Sequence, residues 1–146
     1  SEQFENRIVA SDDTSNYKIV KRNDFAFNPA RINVGSIARL TTFERGIVSP
    51  MYICFRTKDI LLPEYLDYYF KSKQFSTEIQ KRLEGSVRQC LSFDGLCNIP
   101  LSVPAIEIQQ QIGKRLSALV QEINLEIDFL ELLQKQKKFL LYQMFI

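Results

Sequence analysis

The sequence predicts an α+β fold: a small mixed-stranded head followed by one long, coiled-coil-like C-terminal helix. Three observations predict it. Short runs rich in aromatic and β-branched residues fill the first two thirds of the chain. Pro104 marks a change of periodicity. Beyond it, apolar residues recur at intervals of three, four and seven, the signature of a single helical stripe. The expected division is therefore a head at 1–104 and a helix at 105–146.

Within the head, residues 17–20, 25–27, 37–43 and 51–55 read as strands, the last (MYICF) as a buried one. Asn28-Pro29, Val34-Gly35, Arg45-Gly46 and Ser49-Pro50 punctuate them as turns. Pro63 suits a first helical position, where its missing N–H costs nothing, and Leu66, Tyr69 and Phe70 follow at helical spacing. A second helix is expected over 75–83, with Phe75, Ile79 and Leu83 on one face and Gly85 as its stop. Residues 86–100 are expected to return to short strands and turns.

From Ala105 to about Phe145 the stripe runs through Ile108, Ile112, Leu116, Leu119, Ile123, Ile127, Leu130, Leu133 and Leu140. A helix of about 40 residues is roughly 60 Å long, more than a small head can cover. Ile112, Leu116, Leu119, Ile123, Ile127, Leu130, Leu133 and Leu140 are therefore expected to meet another helix. That helix belongs to a partner chain or to the rest of a longer polypeptide. Successive steps of four, from Leu119 to Ile123 to Ile127, break the heptad and predict an imperfect supercoil.

Composition bounds the function by exclusion. The 146 residues are 45% hydrophobic and 25% charged, with five Gly and five Pro, so a disordered or fibrous chain is not expected. No apolar run of about 18 residues could span a bilayer. No signal segment is visible, so a cytoplasmic protein is expected. Cys54, Cys90 and Cys97 are irregularly spaced and read as buried free thiols. With no His and no CxxC there is neither a zinc ligand set nor a Ser-His or Cys-His nucleophile, so no metal and no catalytic residue are assigned. Phosphate-cradling glycine loops are missing as well. Asn28-Pro29-Ala30-Arg31 invites comparison with the adenine-methylating motif, in which a second proline and an aromatic follow. Ala30 and Arg31 stand there instead, so no platform for a flipped base exists.

Charge points elsewhere. The net charge is only +2, but residues 14–58 hold eight bases against two acids, Asp24 and Glu44, a local +6. Such a surface suits a polyanion, although a solvated strand face carries the same pattern.

Several segments in order resemble the DNA-specificity subunit of type I restriction–modification enzymes. They are SNYKIVKRNDF at 15–25 with Asn28-Pro29, VGSI at 34–37, GIVSPMY at 46–52, LPEYL at 62–66 and GSVR at 85–88. Ile99-Pro100-Leu101, Pro104 and EIQQQI at 107–112 resemble the close of a target-recognition domain and the start of its spacer helix. KKFLLYQMF at 137–145 is similar to that helix's end. The resemblance implies one target-recognition domain, short of its first strands, plus one spacer helix. Whole family members carry two of each, the helices pairing antiparallel. It implies a non-catalytic subunit that selects double-stranded DNA for methyltransferase (modification) subunits and a restriction/translocase subunit, with S-adenosylmethionine, ATP and Mg held by those partners. Self-association, or pairing with the other half-subunit, through the C-terminal helix is implied too.

For a DNA reader, base edges are met by Arg, Asn and Gln, and phosphates by Lys and Arg. Arg31, Asn33 and Arg45 are the expected base-edge residues, with Arg88 and Gln89 in a second loop. Lys21, Arg22, Arg39 and Lys58 are expected on phosphates. Tyr17 and Tyr52 read as core. The alternative function is a helix-mediated dimerisation or scaffold module whose α/β head binds protein.

Overall fold

A computed structural model describes residues 15–83 and 90–145. Five short strands come first: β1 Lys18–Lys21, β2 Phe25–Phe27, β3 Ile37–Arg39, β4 Arg45–Val48 and β5 Ile53–Phe55. Four helices follow: α1 Pro63–Phe70, α2 Lys73–Gln80, α3 Phe93–Cys97 and α4 Ile106–Met144. The expected α+β head and long helix are both present.

The strands form two sheets. One is the three-stranded β3-β2-β5, antiparallel throughout, with Phe27 opposite both Ile37 and Ile53. The other is a two-stranded ribbon, β1-β4. Period-two alternation explains the core: Phe25 and Phe27 are wholly buried while Ala26, between them, points to the other face. Phe25 stacks on Phe55 at 5.1 Å and meets Phe70 edge-on, and Phe70 contacts Phe75 at 4.6 Å. Such pairs each add about 1 kcal/mol beyond the area they bury. Ile32, Ile79, Leu91 and Ile99 complete this cluster. On the sheet's small-residue face, Ala26, Ala38 and Leu40 share a cavity with Val20 and Val48 from the ribbon.

Six expectations need correction. Arg45-Gly46 is not a turn but the start of β4; Gly46 sits where Leu40 and Val20 approach closely, so a missing side chain marks packing here. The strand expected over 37–43 stops at Arg39: Asp24, the next partner in register, turns its own N–H back to the Lys21 carbonyl, so the ladder goes no further than Leu40. Met51 and Tyr52 form a turn closed by Tyr52 N–H to the Ser49 carbonyl, so the strand starts at Ile53 and Met51 is exposed. Residues 93–97 are helical, started by the Ser92 hydroxyl accepting the Gly95 N–H. The thiols also differ from expectation: Cys54 and Cys90 are half-buried and Cys97 is exposed, all unbridged. The second helix ends at Gln80 rather than Leu83. Gly85, and the segment 85–88 read for the resemblance, lie outside the described residues.

The turn between β1 and β2 is held by one carboxylate. Asp24 accepts the Lys21 N–H at 2.8 Å and two bonds from Arg56, at 2.6 and 2.9 Å, tying it to the end of β5. The Arg56 guanidinium holds its carboxyl below the usual range despite burial. A depressed folded pKa contributes stability that is present above the unfolded value, near 3.9, and is lost as pH falls through the folded one. Asp24→Asn is therefore expected to cost about 2 kcal/mol at pH 7. The difference in urea midpoint between parent and variant should shrink below about pH 4. A gap that stays constant down to acid unfolding would contradict this role.

Helix α4 is pinned to the head over its first three turns. Gln109, 1% exposed, accepts the Leu62 N–H at 2.8 Å through its amide oxygen. Its NH2 donates to the Ile60 and Pro104 carbonyls at 2.9 and 2.8 Å. The Ser117 hydroxyl donates to Glu64 and contacts the Tyr68 hydroxyl. Gly113 is buried against Glu64, where an added methyl would press on the carboxylate. From Ala118 to Phe145 every residue is exposed. Those 28 residues project about 40 Å at 1.5 Å per residue.

Candidate functional site

Sheet register sorts the head's cations into two groups. Phe27, Ile37 and Ile53 lie at one end of the three-stranded sheet, so the connections before and after them cluster there. At this end Ile32–Val34 forms one turn of 3-10 helix, closed by Gly35 at φ +83, a left-handed conformation that favours glycine. Ile32 is buried beneath it, while Arg31 and Asn33 are exposed on its outer side. Asn28 braces the turn: its side-chain oxygen accepts the Ala30 N–H and its carbonyl the Arg31 N–H. The Leu91 N–H binds the Pro29 carbonyl, which brings the segment following 84–89 to the same place. Arg88 and Gln89 themselves lie outside the described residues.

The second group surrounds the other end, where β1 and β4 finish and start. Lys21 stands directly opposite Arg45, both exposed. Arg22 is engaged locally: its guanidinium bonds Glu44 at 2.5 Å and the Thr41 carbonyl at 2.7 Å. Arg39 is half-buried between Asp67, at 3.8 Å, and the Asn23 side chain, at 3.4 Å. Lys58 is exposed in the segment after β5. Of the expected phosphate contacts, Lys21 and Lys58 are exposed with no salt bridge to a described residue, whereas Arg22 and Arg39 hold turns and helix α1 in place. Tyr17 and Tyr52 are half-buried.

The stripe runs along α4, but its first two members, expected to meet a partner helix, lie at the head instead. Ile112 and Leu116 are half-buried against the head, and Leu119, Ile123, Ile127, Leu130, Leu133 and Leu140 are exposed beyond it. Leu119, Ile123, Ile127 and Leu130 line a shallow apolar groove edged by Glu122 and Glu126. Leu125, Phe129, Leu132 and Phe139 were not anticipated. All four are exposed: Leu125, Leu132 and Phe139 repeat every seven along a second face, and Phe129, four residues before Leu133, lies between that face and the stripe.

Among the described residues, no cavity gathers a reaction centre. A head cavity walled by Phe55, Phe70, Phe75, Phe93 and Ile99 brings together no acid–base or nucleophile–base pair. Burial pushes the Cys54 thiol up, away from reactivity. Among the described residues, no group of three or more His, Cys, Asp or Glu could hold a metal ion. No described helix is long and apolar enough to cross a membrane.

Comparison with known proteins fits this arrangement. The profile of the family described as type I restriction modification DNA specificity domain matches residues 5–138. A crystal structure of the HsdS subunit from Thermoanaerobacter tengcongensis superposes with a TM-score of 0.68 at 20% identity, over 85% of this chain and 33% of that one. The chain thus spans about a third of that subunit's length. No curated protein sequence matches the chain.

Proposed function

Because this chain belongs to the type I restriction modification DNA specificity domain family, we propose that its head reads duplex DNA for methylating and cleaving partner subunits. The observation that carries this reading is the exposed placement of Arg31, Asn33, Lys21, Arg45 and Lys58 on a head otherwise without reactive chemistry. Arg31 and Asn33 sit on a braced 3-10 turn, the kind of rigid mount that base-edge hydrogen bonds require. Lys21, Arg45 and Lys58 supply charge for phosphates. The apolar stripe of α4 pairs with a second helix, from another copy or from another half-subunit. The second face, through Leu125 and Leu132, suits methyltransferase subunits. Methyl transfer and ATP-driven steps, with S-adenosylmethionine, ATP and Mg, belong to those partners, in the cytoplasm.

Duplex binding whose affinity falls linearly in log–log plots against salt tests this reading, since condensed counterions are released on binding. Arg31→Ala and Arg88→Ala are expected to weaken binding to the preferred site by about 1–3 kcal/mol each, with the head still folded. Unchanged affinity in both variants rejects these base-edge assignments. The scaffold alternative predicts no salt-dependent duplex binding at all, by the chain alone or with its partners.

A further inference from the structure

The β1-β4 ribbon has two unlike faces. Val20, Gly46 and Val48 turn inward, toward the three-stranded sheet. Ile19, Lys21, Arg45 and Ile47 turn outward, in two cross-strand pairs: Ile19 opposite Ile47 and Lys21 opposite Arg45. The two isoleucines are 59% and 53% exposed. Neither Lys21 nor Arg45 has a salt bridge to a described residue, although the Lys21 charge reaches Asp24; like charges set directly opposite destabilise a sheet. Arg22, one residue further on, shows the contrast, since Glu44 neutralises it.

We propose that this outer face enters the major groove of duplex DNA, Lys21 and Arg45 meeting phosphates or guanine edges and Ile19 and Ile47 lying against thymine methyl groups. The proposal rests on the DNA-reading function and adds to it a mode of docking and two apolar reading residues. Dimensions fit. A four-residue ribbon is about 13 Å long with strands about 4.8 Å apart, and the major groove, about 12 Å wide, admits such a ribbon. Charge fits as well. A protein covering this face would have to desolvate two facing cations, whereas phosphates on the groove walls neutralise them. An exposed isoleucine pair beside two cations is costly in water and useful only where apolar groups and anions alternate. The floor of the major groove, with thymine methyls between phosphate walls, supplies both.

The test uses the full chain, alone and with its methyltransferase partner. Preferred sites are first selected from randomised duplexes. Thymines of the selected site are then replaced one at a time by deoxyuridine, which removes only the 5-methyl group. Affinity is expected to fall about fourfold at each contacted thymine, the worth of one buried methyl. In Ile19→Ala/Ile47→Ala that sensitivity should vanish, while Lys21→Gln/Arg45→Gln should lower the salt slope by about two. Guanine N7 methylation should interfere with binding, reporting major-groove occupation. Deoxyuridine tolerance at every position, or interference confined to the minor groove, overturns the ribbon assignment and leaves DNA reading intact. The parent-chain substitutions decide this even if a variant misfolds. Failure of the parent and its complex to bind any duplex overturns both.

Discussion

Gln109→Leu is expected to lower the melting temperature of the head by roughly 10 °C. The substitution nearly conserves volume, so it opens little cavity. What it removes is three hydrogen bonds, leaving the Leu62 N–H and the Ile60 and Pro104 carbonyls without the side chain that serves them. Each buried group left unmet costs about 1–3 kcal/mol, and about 3 kcal/mol in total is a conservative sum. For a chain of this size 1 kcal/mol moves the midpoint by about 3 °C. Gln109→Glu supplies a sharper signature. It keeps an acceptor for Leu62 but turns a carboxylate oxygen toward two carbonyls. That disfavours the charged form and raises the folded pKa above the usual value near 4.3. Such a variant gains stability as pH falls through the raised pKa, opposite to the expected loss in Asp24→Asn studies of the parent. Thermal melts between pH 4 and 8 check both statements; a Gln109→Leu melt within about 2 °C of the parent contradicts the junction's role.

How much of this was legible beforehand depends on the scale of the pattern. Helix α4 was plain because 39 residues repeat one period many times. The family was legible because its segments are spread along the chain, and the profile match over residues 5–138 agrees. Strand limits were not legible. β3 stops at Arg39 because Asp24, the partner in register sixteen residues before Leu40, turns its N–H to Lys21, which no pattern within 37–43 records. Helix α3 has five residues, too few for a period to register, although Ser92 three residues before Gly95 was a visible cap. Gln109 stood inside the EIQQQI segment as one polar residue among several. Only the approach of residues 60–62 makes it the buried one. In the candidate interface, residue type was readable and engagement was not: Arg22 and Lys21 are neighbours, yet Glu44 occupies only the first. Ile19 and Ile47 carried a signal that went unused, since alternation with buried Val20 and Val48 put them on an outer face.

The second apolar face of α4 has a related explanation. Leu125, Phe129, Leu132 and Phe139 lie between the stripe's members in sequence, so the stripe's period masks theirs. Once the helix is seen to project beyond the head, both faces need cover. A two-helix pair hides only one, so assembly with more than two helices is expected of the mature complex.

For the stripe itself, Leu130→Glu is expected to convert a dimer of this chain to a monomer at micromolar concentration. Charge along α4 sets the geometry. Residues 122–131 carry Glu122, Glu126, Asp128 and Glu131 with no base, and residues 135–138 carry three lysines with no acid. Parallel pairing in register would stack each block on its own kind. Antiparallel pairing about a two-fold axis near Leu130 brings the acidic stretch 122–126 level with the lysines of 135–138 of the second copy, Leu119 level with Leu141 and Ile127 with Leu133. Screening limits what the exposed charges contribute to about 0.5 kcal/mol per pair, so they select the orientation while the leucines and isoleucines supply the affinity. At the axis, Leu130 meets its own copy. Glutamate there removes two apolar side chains, about 2 kcal/mol each, and sets two carboxylates face to face. The dissociation constant should rise by a factor on the order of 1000 or more. Ile123→Glu is a weaker probe, because the same register places Lys137 opposite and offers the new carboxylate a partner. Sedimentation velocity decides: equal oligomers for parent and Leu130→Glu would remove the stripe as a self-pairing surface. Equal losses from Leu130→Glu and Ile123→Glu would remove the antiparallel register while keeping the stripe.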